Sequence, residues 1–137
     1  KDFAAAHAAG ARFIVTPGLS DRVVADAGAA GVPILPGIAT ATELMRGLDL
    51  GLTHFKFFPA EQLGGVATLK ALAGPLPNVR FCPTGSITPD KAPAYLALKN
   101  VLCVGGSWIA PTEYIKAGDW ASIEAAAKRA AALKPVA

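Results

Sequence analysis

The chain has 137 residues, 53% of them apolar and 17% charged, a balance that excludes a disordered tail and fits one domain with a sizeable core. Thirteen Lys and Arg against ten Asp and Glu leave a net charge of +3. These charges are scattered, without the basic stripe and neighbouring aromatics of a nucleic-acid binder or the basic amphipathic helix of a membrane-surface protein.

The elements are punctuated by Gly, Pro and capping residues. Asp2 to Ala9 reads as a helix ended by Gly10, and Arg12 to Thr16 as a short strand ended by Pro17-Gly18. Ser20 can cap a helix over Asp21 to Ala30, with Gly31 after it. Pro33 to Leu35 is the next strand, and Thr40 with Glu43 forms a capping box for a helix to about Leu50. His54 to Phe58 is a strand, Gly65 to Ala73 a helix, and Val79 to Pro83 a strand. Thr88 and Pro89 open a helix toward Leu98, with Pro93 awkwardly inside it, so that Asp90 and Lys91 fall in its first turn. Val101 to Val104 is the last strand, and Asp119 caps a final helix to about Leu133 that carries a Glu124–Lys128 pair at i, i+4. Its alanine-rich stretch serves helix propensity and close packing. Trp108 and Trp120 are expected to be packing residues, Lys70 and Lys99 solvated surface charges.

Strands beginning near residues 12, 33, 54, 79 and 101, with helices between, predict an α/β fold with a parallel sheet. An open doubly wound sheet and a (β/α)₈ barrel both satisfy this spacing. A barrel would need further βα units ahead of Lys1. The chain also begins inside a helical pattern without an initiator Met, so it is expected to be one partial domain of a longer protein. No apolar run approaches the ~18 residues of a membrane span, and no cationic start leads into an apolar stretch as in secretion signals. Cys82 and Cys103 sit in apolar runs and read as reduced, buried small hydrophobes; with His7 and His54 they show no metal-ligand spacing. A cytoplasmic protein with no metal and no cofactor is expected.

Lys56 carries the chemistry. It lies within His54-Phe55-Lys56-Phe57-Phe58-Pro59, where alternation puts Phe55 and Phe57 on one face and Lys56 and Phe58 on the other. A strand covered on both faces would force its ammonium to pair or to lose its proton, and a neutral amine attacks carbonyls. A lysine that snorkels or pairs with Glu61 is the alternative. Gly85-Ser86 and Gly105-Gly106-Ser107 follow the last two strands; glycines there let backbone N–H groups approach an anion, although strand-to-helix turns also need glycine.

Phe55-Lys56-Phe57-Phe58-Pro59-Ala60-Glu61, Arg80-Phe81-Cys82-Pro83-Thr84-Gly85 and Val104-Gly105-Gly106-Ser107-Trp108 resemble the 2-keto-3-deoxy-6-phosphogluconate (KDPG) and 4-hydroxy-2-oxoglutarate aldolase family, and Phe13 to Leu19 and Pro33 to Ile38 match in order and spacing. The resemblance implies the last five βα units of a (β/α)₈ barrel assembled as a homotrimer. It implies Lys56 as the Schiff-base lysine, with Thr84, Gly85, Ser86, Gly105, Gly106 and Ser107 around the phosphate end of a phosphorylated 2-keto acid and Pro17 and Phe58 as pocket wall. Two departures stand out. The family has a second glycine where this chain has Ser86. The family's general-base Glu and carboxylate-binding Arg lie in a Glu-Val-Thr-Leu-Arg segment, and a Gly-Ala-Gly-Thr segment also contributes; neither occurs in these residues. The implied activity is cleavage of KDPG to pyruvate and glyceraldehyde 3-phosphate, or of 4-hydroxy-2-oxoglutarate to pyruvate and glyoxylate, weak or absent in this chain alone. An aldolase for the galactonate-derived isomer and a non-catalytic, phosphate-binding or oligomerising half-barrel are the alternatives.

Overall fold

Side-chain caps open three of the helices. In the computed structural model, which describes residues 2–135, α1 spans Asp2–Ala8 and α2 Asp21–Ala29, with the Ser20 side chain accepting from the Val23 N–H. The expected capping box opens α3 (Ala41–Asp49): Thr40 Oγ1 accepts from the Glu43 N–H at 3.2 Å and Glu43 Oε2 from the Thr40 N–H at 2.9 Å. Two more helices, α4 (Gly65–Ala73) and α5 (Ala92–Leu96), follow. The short α6 (Thr112–Ala117) and a 3₁₀ turn at Ser107–Ile109 precede α7 (Trp120–Ala131), whose Asp119 cap accepts from the Ser122 N–H at 3.0 Å. The expected Glu124–Lys128 pair forms at 2.5 Å.

Pro93 moves the start of α5. The helix was expected from Pro89, but it begins at Ala92 and puts Pro93 in its first two positions, where the missing N–H costs no intrahelical bond. Asp90 and Lys91 therefore lie before the helix, not in its first turn.

All strand pairs are parallel. β1 (Ile14–Val15) pairs with β2 (Ile34–Leu35); β3 (Gly37–Ile38) pairs with β4 (His54–Phe57), and β4 with β5 (Arg80–Pro83). β3 was not anticipated. Pro36 separates it from β2 because proline has no N–H for a ladder, while its carbonyl accepts from the Lys56 N–H at 2.9 Å. Neighbours thus follow chain order, without the reversal that marks a doubly wound sheet.

The expected strand Val101–Val104 is not a continuous strand. It touches β5 at two isolated bridges, Phe81↔Val101 and Thr84↔Gly105. The reason is Pro83. The Leu102 N–H donates to the Phe81 carbonyl at 3.0 Å, and the next rung would need an N–H from residue 83, which a proline lacks. The ladder resumes one residue late, with the Gly105 N–H donating to the Pro83 carbonyl at 2.9 Å. That extra residue is a bulge.

One apolar cluster joins the sheet to the helices. Phe55 and Phe57 are wholly buried with Phe81, Val101 and Ile38, against Leu44 of α3, Leu69 of α4 and Tyr95 and Leu96 of α5. Phe57 and Phe81 meet edge to face at 6.3 Å between centroids. Trp108 packs on this cluster, but Trp120, expected to pack, is 65% exposed at the first position of α7, with nothing among the described residues covering it.

Candidate functional site

The strand alternation that buries Phe55 and Phe57 turns Lys56 and Phe58 the other way, onto a face that is only partly covered. Lys56 is half-buried, between the enclosed and the snorkelling lysine that the sequence left open. Its Nζ stands 4.3 Å from the centroid of the Phe58 ring, an arrangement that attracts a cation. Along the sheet Lys56 is flanked by Gly37 on β3 and Cys82 on β5. A Cβ at Gly37 would fall 2.1 Å from the Pro17 carbonyl oxygen, so Pro17 closes the wall beside the lysine because residue 37 has no side chain.

Glu61 is not the partner of Lys56. It opens a 3₁₀ turn, Glu61–Leu63, and its two carboxylate oxygens take the Lys91 ammonium and the Tyr95 hydroxyl. The Lys91 ammonium first, and the Tyr95 hydroxyl next, hold the Glu61 carboxyl below its ordinary range. Burial, reinforced by the carboxylate, pushes the Tyr95 phenol up.

One step further along the strands, the loop after β5 meets the segment after residue 101. Thr84 bridges Gly105, and its Oγ1 lies 4.0 Å from the Cys82 sulfur. Neither cysteine is buried as expected, since the expected strand Val101–Val104 lies at the edge of the sheet: Cys82 is half-buried and Cys103 exposed. The Cys103 thiol is lowered to about 7, chiefly by hydrogen bonding with Cys82; the same contact, with burial, raises Cys82. The glycines here have packing reasons. A Cβ at Gly105 would come within 2.6 Å of Thr84 Oγ1, and one at Gly106 within 1.5 Å of the Trp108 ring. Gly85 has φ +114 and a Cβ there would press on Pro59 and Ala60 at 3.1 Å. Ser86 has φ 56, the left-handed region that a side chain resists.

The sheet therefore brings Gly37, Lys56 and Cys82 into one register row and sets Thr84 opposite Gly105, with Pro17 against Gly37 and the Phe58 ring beside Lys56. Ser86 and Ser107 line one cleft of about 390 Å³ with Thr88, Trp108, Thr112 and one charged residue, Glu113. Sequence reasoning missed Gly37, whose role shows only through the Pro17 contact. It also missed Gln62, whose Nε2 donates to Ser86 Oγ at 2.9 Å; a polar residue in a turn carries no sequence signal for that bond.

Fold and site define a parallel α/β protein whose polar groups gather at the carboxyl ends of its strands, where such proteins bind ligands. The family model for KDPG and KHG aldolases matches residues 1–126, and the chain belongs to that family. It is 49% identical over 132 residues to the 2-dehydro-3-deoxy-phosphogluconate aldolase of Pseudoalteromonas atlantica, a match that covers 96% of this chain and 61% of the relative. A crystal structure of the 2-keto-3-deoxy-6-phosphogluconate aldolase of Zymomonas mobilis with 3-phosphoglycerate superposes with a TM-score of 0.88 at 50% identity, covering 96% of this chain and 61% of that one. The KDPG aldolase of Legionella pneumophila, with pyruvate captured as a covalent carbinolamine, gives 0.85 at 45% identity, covering 93% and 61%. The chain thus spans about 61% of the length of these relatives.

Proposed function

We propose that this chain carries the Schiff-base half of a class I aldolase that cleaves 2-dehydro-3-deoxy-6-phosphogluconate, and 4-hydroxy-2-oxoglutarate as a second substrate. The observation that carries the reading is Lys56 on the open face of β4, in register with Cys82 and so two residues short of Thr84, and walled by Pro17 and Phe58. The carbinolamine held by the Legionella relative supports a covalent amine route. The chain-order strand neighbours support the (β/α)₈ reading, with these residues as one partial domain. A cytoplasmic homotrimer rests on the family resemblance; among the described residues no helix is long and apolar enough to cross a membrane.

In this reading the neutral Lys56 amine adds to the keto carbon, and loss of water gives an iminium. A base removes the proton of the hydroxyl one carbon beyond the scissile bond. The bond's electrons flow into the iminium, releasing glyceraldehyde 3-phosphate and leaving an enamine on Lys56. Protonation of the enamine carbon and hydrolysis return pyruvate and the free amine. Thr84, Gly85, Ser86, Gly105, Gly106 and Ser107 surround the phosphate end. Glu61 is not that base, since both its oxygens are engaged. A positioned base contributes ~10²–10⁴ in rate, so the 137 residues alone form the adduct but turn over slowly.

Incubation with pyruvate and borohydride tests this. The expected result is one reduced pyruvate mapped to Lys56 and absent in Lys56→Ala. Equal labelling of surface lysines such as Lys70 and Lys99, or no adduct, refutes the reading and favours a non-catalytic ligand-binding or oligomerising half-barrel.

A further inference from the structure

Ser86 is the only non-glycine residue with positive φ among the described residues. A serine there pays a steric cost that glycine avoids, and such strain persists only where the surroundings hold it in place. The surroundings are specific. The 3₁₀ turn after β4 is tied to the loop after β5 by the Ala60 N–H to the Thr84 carbonyl at 2.9 Å and the Glu61 N–H to the Gly85 carbonyl at 3.4 Å. Lys91 and Tyr95 fasten the same turn through Glu61. From this turn Gln62 Nε2 donates to Ser86 Oγ at 2.9 Å. A hydroxyl that accepts from an amide keeps its own proton to donate; Ser86 lines the cleft that also holds Ser107 and, at its Thr112 side, the Glu113 carboxylate, so an anion there depends on donors such as this one.

We infer that Ser86 is a specificity-determining hydroxyl donor to a terminal phosphate in this cleft, and that Gln62 is the positioning residue that orients it. The inference rests on the phosphate end assigned to these loops under the proposed function. It adds that a side-chain hydroxyl, and not backbone N–H groups alone, selects phosphorylated over unphosphorylated ligands.

The test is an NMR titration of the chain with inorganic phosphate, followed at the amides of Gly85, Ser86 and Ser107, with pyruvate–borohydride trapping on the same samples. Hydrogen bonds to charged groups predict that Ser86→Gly weakens phosphate binding roughly tenfold. Glycine suits this φ, so its thermal midpoint stays level or rises, which separates a lost donor from a damaged fold. Gln62→Ala weakens binding about threefold in the parent and adds nothing in the Ser86→Gly background. Parent-like phosphate binding by Ser86→Gly overturns the donor role. A loss from Gln62→Ala that persists without Ser86 overturns the positioning role. Absence of phosphate at these amides, with the Lys56 adduct intact, overturns the inference and leaves the aldolase reading standing. A Ser86-dependent phosphate site with no Lys56 adduct does the reverse.

Discussion

Two glycine-to-alanine substitutions should move stability in opposite directions. Gly37 sits in β3 beside Lys56, and its φ lies outside the left-handed region; an alanine there meets no conformational penalty. Its Cβ, however, would lie 2.1 Å from the Pro17 oxygen, 2.4 Å from the Pro17 carbonyl carbon and 3.0 Å from the Gly18 nitrogen. The first contact is more than an ångström short of the ~3.5 Å optimum, and every obstructing atom is backbone. Relief requires the Pro17-Gly18 turn to move off the sheet, so Gly37→Ala costs ~2–3 kcal/mol, the upper part of the overpacking range. With a urea slope of about 1.5 kcal/mol/M, the midpoint falls by roughly 1.3–2 M. Gly28 in α2 is exposed with nothing within 4 Å of an added Cβ, so Gly28→Ala gains ~0.5 kcal/mol from helix propensity. Urea unfolding followed by circular dichroism reads both. An unfolding free energy for Gly37→Ala within ~0.5 kcal/mol of the parent, the scatter of neutral substitutions, would refute the steric account of the Pro17 wall.

Tyr95→Phe removes the hydroxyl that donates to Glu61 from a residue 1% exposed; it should cost ~1.5–3 kcal/mol in the same assay. Because Glu61 is held below its ordinary range by Lys91 and Tyr95, its contribution is fully present above the unfolded carboxyl value near 4.5 and is lost as pH falls through the lower folded value. Glu61→Gln should therefore be less stable than the parent at neutral pH, and flatten stability against pH below that point. Cys103, lowered to about 7, should react with iodoacetamide before Cys82, with a rate rising through that pH; peptide mapping after limited alkylation checks the order. A double-mutant cycle of Phe57→Leu and Phe81→Leu should return ~0.5–1.5 kcal/mol of coupling for their edge-to-face contact.

The signals that could be read before folding were those in which one residue acts on its own neighbours. Thr40 and Glu43, Ser20, Asp119 and the Glu124–Lys128 pair act within four residues, and each forms as expected. The two-residue period of β4 likewise foretold which faces Phe55, Lys56 and Phe57 take. What escaped depends on atoms brought together from distant segments. Pro93 decides the start of α5 only once the helix's first turn is defined, and Glu61 looks free until Lys91 and Tyr95 arrive from 30 and 34 residues away. Gly105 and Gly106 suggested an anion loop, yet their lack of side chains is also demanded by Thr84 and Trp108, contacts invisible in the order of residues.

Pro83 has a consequence that reaches beyond its own position. The one-residue lag it imposes reverses the phase of the segment that follows Val101. In an unbroken ladder the β-branched Val104 would stand opposite Thr84; with the lag, Val104 packs toward the core and Gly105 takes the place opposite Thr84. An absent hydrogen-bond donor thereby chooses which residue stands opposite Thr84, and the Thr84 side chain takes the space that a Cβ at residue 105 would need. A residue with an N–H at position 83 would let the strands run in step, and the floor beside Thr84 would fill with valine. The room that Thr84 occupies beside Gly105 is written in the chain as a missing proton on one nitrogen.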